Sequence, residues 1–271
     1  MSGEFSSTWL GLREPADAAA RAADLVSALR QRGGPPHSGG WVIRDLGCGT
    51  GSLGRWLAPL LPGPQHWIME DRDPVLLAYA AASMVGTAAD GSPVTVETRE
   101  GDVTALTGAD LAGTSLVTCS ALLDILTAGE LDAIAAALAE HGTTALFTLS
   151  VLGEVTFDPA DELDRAVTAA FNEHQRRTVA GRRLLGPDAP VVAAEVLTEH
   201  GARVTARPSP WRLGSERAAL SAEWLTGWTS AAAEQRPELP IDAYRRRRLA
   251  ALEAGHTLIT VGHQDLLAEF D

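Results

Sequence analysis

The chain contains no lysine, so all 22 of its basic residues are arginine. With alanine abundant throughout, this is the mark of GC-rich coding and carries no information about activity. Cysteine is almost as scarce, with Cys48 and Cys119 the only two. Two thiols make neither a disulfide framework nor a zinc site, so no metal is expected and a reducing compartment fits. No apolar run approaches the ~18–20 residues that a membrane span requires, and residues 1–7 lack the basic-then-apolar pattern of an export signal. The expectation is a cytoplasmic protein without a membrane partner. An excess of positive charge is also missing. Thirty-five acidic residues leave a net charge of −13, which repels a nucleic-acid backbone on average and disfavours nucleic acid as a partner.

What is present is a chain of 271 residues, 45% of them hydrophobic, enough to bury a substantial core in one fold carrying insertions. An alanine-rich stretch at 14–31, with Pro15 in its first turn, Asp17 early and Arg30 late, predicts one helix, broken by the glycines of 33–40. Short apolar runs then alternate with helical patterns. Strands are expected at 41–46, 66–70, 94–99, 115–119 and 144–149. Helices are expected at 52–61, 74–84 and 131–140, the last introduced by the capping-box spacing of Thr127 and Glu130. Strands separated by helices imply a parallel α/β sheet covered on both faces. Beyond Phe157 the pattern turns helical, at 161–177, 191–200, 215–234 and 241–254, with strands at 202–207 and 257–261. Residues 1–40 are therefore expected as an N-terminal helical cover on a domain spanning 41–271, with helical insertions near 158–190 and 214–254.

The informative stretch is Asp45-Leu46-Gly47-Cys48-Gly49-Thr50-Gly51, between an expected strand and an expected helix. Glycines there let the backbone turn sharply and approach a ligand with no side chain intervening. A dinucleotide fingerprint also finds a register, Gly49-x-Gly51-x-x-Gly54, so the glycines alone leave NAD(P) open. Asp45 separates the two chemistries. A carboxylate at the end of the first strand repels a pyrophosphate and welcomes a cationic group.

Asp45 to Gly51 resembles motif I of the class I S-adenosylmethionine (SAM)-dependent methyltransferases, D/E-x-G-x-G-x-G, and the resemblance extends over residues 41–150. It implies a Rossmann-like, seven-stranded, mostly parallel sheet with helices on both faces, a final antiparallel strand and helical insertions forming a lid. SAM is then the implied cofactor, held by Asp45, Gly47, Cys48, Gly49 and Gly51. In Glu70-Asp71-Arg72-Asp73-Pro74, Asp71 aligns best as the acid that accepts the ribose hydroxyls, with Arg72 beside it and Glu70 as the alternative. Asp73 reads as a helix cap. Gly101-Asp102-Val103 resembles the segment that meets the adenine. Ser120 is an expected cofactor neighbour, and Arg13, in an N-terminal segment expected to fold across the site, is a candidate for the methionine carboxylate.

The acceptor is implied only as a small molecule, methylated on oxygen, nitrogen or carbon. Asp124, after the fourth strand, is placed on the methyl side and is a candidate to orient the acceptor or take its proton. His174 is a second candidate base, and Asn172, Gln175 and Trp211 are candidate acceptor contacts. His263, Gln264 and Asp265 are expected at the sheet end away from the cofactor, with structural roles, and His256 nearer the chemistry. Arg245 to Arg248 spread around a helix and read as a solvated face. Trp9 to Asp17, Ser120 to Asp124, Asn172 to Gln175 and Gly262 to Asp265 also resemble bacterial members of the family. The alternatives are an NAD(P)-dependent oxidoreductase and a non-catalytic SAM-binding protein.

Overall fold

The computed structural model describes residues 6–31 and 39–270. Its sheet runs β3-β2-β1-β4-β5-β10-β8, with β9 pairing β10. The central strands are β1 (Trp41–Leu46), β2 (Gln65–Asp71), β3 (Val94–Glu100), β4 (Leu116–Ser120) and the first half of β5 (Thr144–Asp158), mutually parallel. β10 (Leu258–Glu269) runs antiparallel to β5, to β8 (Arg203–Pro208) and to β9 (Trp211–Leu213). The sheet therefore has eight strands where seven were expected. The extra one is β9, three residues that pair only with the outer part of β10.

β1 shows why a parallel strand sits here. Its two faces join separate cores, Ile43 one that includes Leu57 of α3 (Ser52–Leu57) and Leu77 of α4 (Pro74–Ser83), and Leu46 one that includes Leu131 of α5 (Ala128–His141) and Ala193 of α7 (Ala189–Glu199), and both are almost completely enclosed. α5 carries the expected capping box: Glu130 N–H donates to Thr127 Oγ1 at 3.2 Å and Thr127 N–H to Glu130 Oε2 at 2.8 Å. Asp73 caps α4, accepting from Val75 N–H at 2.8 Å, as expected.

Three departures shape the site. First, the single helix expected at 14–31 is two helices, α1 (Ser7–Ala20) and α2 (Ala23–Gln31), and Pro15 lies inside α1. The break falls at Arg21, whose backbone is extended (φ −54°, ψ 137°), and the freed Ala22 N–H donates to Asp265 Oδ2 on β10 at 2.8 Å. A tertiary hydrogen bond offsets the lost helical one, so no local signal marks the kink. Second, β5 does not stop at Leu149. Leu149 takes φ +56°, the strand bends, and its outer half forms an antiparallel ribbon with β10 out to the Asp158–Leu258 pair. The insertions ride on that ribbon: α6 (Asp164–Gln175), the two-residue strands β6 (Thr178–Val179) and β7 (Arg182–Arg183), α8 (Ala218–Gln235) and α9 (Ile241–Glu253). Third, β10 extends far beyond the strand expected at 257–261, because its polar residues are satisfied inside the fold.

Arg248 also corrects the expectation of a solvated basic run. It is buried, bonded to both carboxylate oxygens of Asp164 and to the Pro159 carbonyl, and its guanidinium lies 4.2 Å from the Phe157 ring centroid.

Candidate cofactor site

β1 ends in a loop built on left-handed backbone. Gly47, Gly49 and Gly51 have φ of +60°, +55° and +81°. A Cβ on Gly49 would lie 3.1 Å from Leu10 Cδ1 of α1, and one on Gly51 would lie 3.3 Å from the Ala80 Cα. Glycine is required by conformation and by space. Cys48 contributes backbone only: its side chain is packed in the core against Leu57 and Leu77, and burial pushes its thiol up.

Asp45 is the penultimate residue of β1, between Met69 of β2 and Thr118 of β4. It is 1% exposed; Oδ1 accepts from Thr118 Oγ1 at 2.7 Å, and Oδ2 has no partner. Burial pushes its carboxyl up to about 7, opposed by the Thr118 hydrogen bond and the charge of Arg21 and reinforced by Asp71. An unpartnered buried oxygen costs ~1–3 kcal/mol, and this one sits at the mouth of the glycine loop.

The two candidates for the ribose separate cleanly. Glu70 is 4% exposed and faces away into a buried ion pair, with Oε2 2.7 Å from Arg44 Nε and 2.6 Å from Arg44 Nη2. Asp71 is half-buried at the strand end; Oδ2 accepts from Gly49 N–H at 2.8 Å and Oδ1 from Asp73 N–H at 3.0 Å. It bridges the glycine loop to β2 and retains free lone pairs on both oxygens. Asp102, at the end of β3, is exposed and caps a turn, accepting from Thr104 N–H at 2.9 Å and Thr104 Oγ1 at 2.8 Å through Oδ1 alone. Val103 is half-buried beside it, and Arg72 is exposed.

Arg13 departs from its expected role. Its guanidinium is engaged by Asp17, with Nε–Oδ2 at 2.9 Å and Nη2–Oδ1 at 3.3 Å, and lies 5.0 Å from the Trp211 ring centroid. Trp211 is likewise committed: it is 3% exposed, and its Nε1 donates to Asp17 Oδ1 at 3.0 Å. Both residues dock α1 onto β9, so neither the carboxylate contact nor the acceptor wall expected of them is what the structure shows. Arg13→Ala should lower stability by about 1–2 kcal/mol, the scale of a lost charge-assisted hydrogen bond. Thermal denaturation reads this, and the affinity for S-adenosylhomocysteine (SAH) should stay within about threefold.

A cation the sequence did not single out, Arg21, lies beside the glycine loop, whereas Arg55, which bonds the Thr50 carbonyl within it, is paired with Glu14. Arg21 is 4% exposed, with Nη2 3.2 Å from both Ser52 Oγ and Ser120 Oγ. His263 and Asp265 have the structural roles expected of them, but not the expected place. Because β10 is long and antiparallel, His263 pairs with Val151, two residues beyond the Leu149 bend of β5 and past the carboxyl end of β4, so both residues lie at the cofactor end. Asp265 ties three segments, accepting from Leu149 N–H at 2.7 Å, Ser209 Oγ at 2.5 Å and Ala22 N–H. His263 Nδ1 lies 3.0 Å from the Val261 carbonyl and must donate to it. Burial, with help from Arg13, pushes its pKa down to about 3, so it is neutral near pH 7. His256, expected nearer the chemistry, is exposed.

Toward the insertions, Asp124 lies in a short turn after β4, and burial pushes its carboxyl up to about 6 against Arg13 and Arg177. His174, near the end of α6, has its pKa lowered by burial and by Arg177, and its Nδ1 is 3.9 Å from Glu234. Asn172 Nδ2 donates to the Gly153 carbonyl at 2.8 Å, whereas Asn172 Oδ1 and Gln175 Oε1 are buried without partners. Two surface clefts lie apart from the glycine loop. One, of about 620 Å³, lies between the start of α5 and the β6–β7 hairpin, and one of about 750 Å³ lies between outer β5 and α6, where Asn172 lines it.

The strand order settles the choice between fold types. A dinucleotide-binding sheet is parallel in the order 3-2-1-4-5-6, whereas here an antiparallel strand is inserted beside β5. Residues 43–142 match the family model described as a methyltransferase domain. The matched stretch runs from β1 to the end of α5 and contains the glycine loop. The chain is similar in fold to a cyclopropane-fatty-acyl-phospholipid synthase-like protein from Lactobacillus casei, with 19% identity over 97% of this chain and 93% of the other and a TM-score of 0.53. It is also similar to a cyclopropane synthase from Mycobacterium tuberculosis, with 14% identity over 98% and 95% of the two chains and a TM-score of 0.52. At such identities the likeness is one of fold. No curated protein matches the chain in sequence.

Proposed function

We propose that the protein is a SAM-dependent methyltransferase that moves the methyl group of SAM to a small-molecule acceptor at the carboxyl ends of β1, β4 and β5. The observation that carries this is Asp45 Oδ2, a buried oxygen with no partner beside a glycine loop that admits no side chain. A retained cost of this kind is explained by a ligand that supplies the missing donor, and the ammonium of a methionine-derived ligand does so. Bound SAM supplies an electrophilic methyl on a sulfonium.

The rest falls to the chain's own residues. Asp71 is the acid free to accept the ribose hydroxyls, since Glu70 is consumed by Arg44. Asp102 Oδ2 remains available to the adenine amino group, and the backbone of Gly47, Gly49, Gly51 and Val103 lines the path between them. Ser120 and Asp124 follow β4 on the methyl side. Asp124 orients the acceptor and takes its proton, and His174, Asn172 and Gln175 supply polar contacts from α6. Leu10 of α1 and Leu122 close over Gly49 and Gly47 and exclude water from the loop.

The test is incubation with methyl-labelled SAM and a cell extract. A labelled small molecule is expected, and SAH binding without any labelled product would instead mark a non-catalytic SAM-binding protein. With the acceptor in hand, kcat/KM should rise with pH and level off above about 6, because Asp124 accepts a proton only when ionised. Asp124→Asn should lower kcat by about 10²-fold or more, the scale of general-base catalysis. An unchanged rate in that variant would remove Asp124 from the mechanism.

A further inference from the structure

Arg21 is the most anomalous charge in the protein. It is 4% exposed, yet no carboxylate of the described residues forms an ion pair with it. Its contacts are neutral and long: Nη1 to the Ser52 carbonyl at 3.4 Å, and Nη2 to the hydroxyls of Ser52 and Ser120, both at 3.2 Å. Nε is buried with no partner, and the guanidinium carbon lies 5.4 Å from the Trp56 ring centroid. Asp17, Asp265 and Asp45 are near enough to act electrostatically, but none forms an ion-pair contact with it, and the first two are spent elsewhere. Asp17 is held by Arg13 and Trp211, and Asp265 by Leu149, Ser209 and Ala22. A buried guanidinium without a contacting counter-ion is strongly unfavourable unless something outside the chain completes it.

Its position says what that is. Ser52 is the first residue after the glycine loop and Ser120 ends β4, so the guanidinium spans the side of the site opposite Asp71. Asp45, with its own unpartnered oxygen, lies between them. A buried cation lacking a contacting anion and a buried carboxylate oxygen lacking a donor, on neighbouring segments close enough to interact electrostatically, are the complement of an α-amino acid zwitterion. We propose that Arg21 binds the α-carboxylate of the methionine moiety of SAM, the helix break at Arg21 being the device that turns it inward. This rests on the methyltransferase reading of the site. It also makes the N-terminal helices part of cofactor binding, because the Ala22–Asp265 bond that fixes the break holds Arg21 in place.

The test compares SAH with 5′-methylthioadenosine, which keeps the adenosine and thioether but lacks the amino acid, by titration calorimetry. The wild type should bind SAH at least about tenfold more tightly than methylthioadenosine. Arg21→Gln should weaken SAH by roughly 30-fold or more and change methylthioadenosine by less than about threefold. Arg21→Lys, which keeps the charge and the fold, should show a smaller loss confined to SAH. Equal losses for both ligands, or undiminished SAH binding in both variants, would overturn the assignment. Failure of the wild type to bind either ligand would instead remove the methyltransferase reading.

Discussion

Asp45→Asn should weaken SAH binding by roughly 100-fold at pH 8 while making the ligand-free protein more stable. Both effects come from one carboxylate. Burial pushes Asp45 up to about 7 from the ordinary 3.8, so the folded state holds the proton more tightly than the unfolded chain does. A raised carboxyl disfavours folding as pH climbs. Below about pH 4 both states are protonated and no cost arises, between about 4 and 7 the cost grows, and above 7 it is complete. The full span corresponds to a few kcal/mol at most, at about 1.4 kcal/mol per pH unit. Removing the charge should raise the melting temperature by a few degrees at pH 8, taking a gain of about 2 kcal/mol and 2–4 °C per kcal/mol. At about pH 3.5, where Asp45 is mostly protonated in both the folded and unfolded states, the variant and the wild type should melt nearly together. Calorimetry and thermal denaturation on the same samples test this. A carboxylate kept for packing would give the opposite result, with loss of stability at every pH.

Glu70→Gln should lower stability by about 3–5 kcal/mol, whereas Asp71→Ala, one residue along, should do so by less than about 2. Glu70 and Arg44 are 4% and 2% exposed and neutralise each other. Breaking the pair leaves Arg44 buried with only the Asp110 carbonyl as a close partner. A fall in melting temperature on the order of 10 °C is expected. Asp71→Ala loses the Gly49 and Asp73 contacts but no buried charge, so its effect should appear in SAH affinity, by about 10–100-fold, the worth of a charge-assisted hydrogen bond. If Glu70→Gln retained its melting temperature and lost SAH affinity instead, the roles of the two acids would be reversed.

Much of this was legible in the sequence, for a reason particular residues show. β1, the glycine loop and Asp45 form one contiguous segment in which strand pattern, turn chemistry and the proposed cofactor contact coincide. The Thr127 and Asp73 caps are similarly local. What could not be seen depends on contacts between distant segments. Arg21 sits in an alanine-rich stretch that reads as continuous helix, and only Asp265, 244 residues later, reveals the kink by taking the Ala22 amide. The polar run His263-Gln264-Asp265 reads as the end of a strand, whereas its hydrogen bonds are satisfied inside one. Glu70 and Asp71 are equivalent as letters; strand register alone sends one into the core with Arg44 and leaves the other at the rim. Arg13 was the plausible cation by proximity to the expected cover, but Asp17, one helical turn along, claims it first.

One titration tests the central claim most directly: SAH into the wild-type protein at pH 5.5 and 7.5, in buffers of different ionisation enthalpy, with NADH as the control ligand. If the unpartnered Asp45 oxygen receives the ligand's ammonium, SAH should bind about tenfold or more tightly at the higher pH, and binding should release close to one proton at the lower, because the carboxyl must ionise to make the contact. SAH binding that is indifferent to pH and releases no proton, or heat from NADH where SAH gives none, would contradict it.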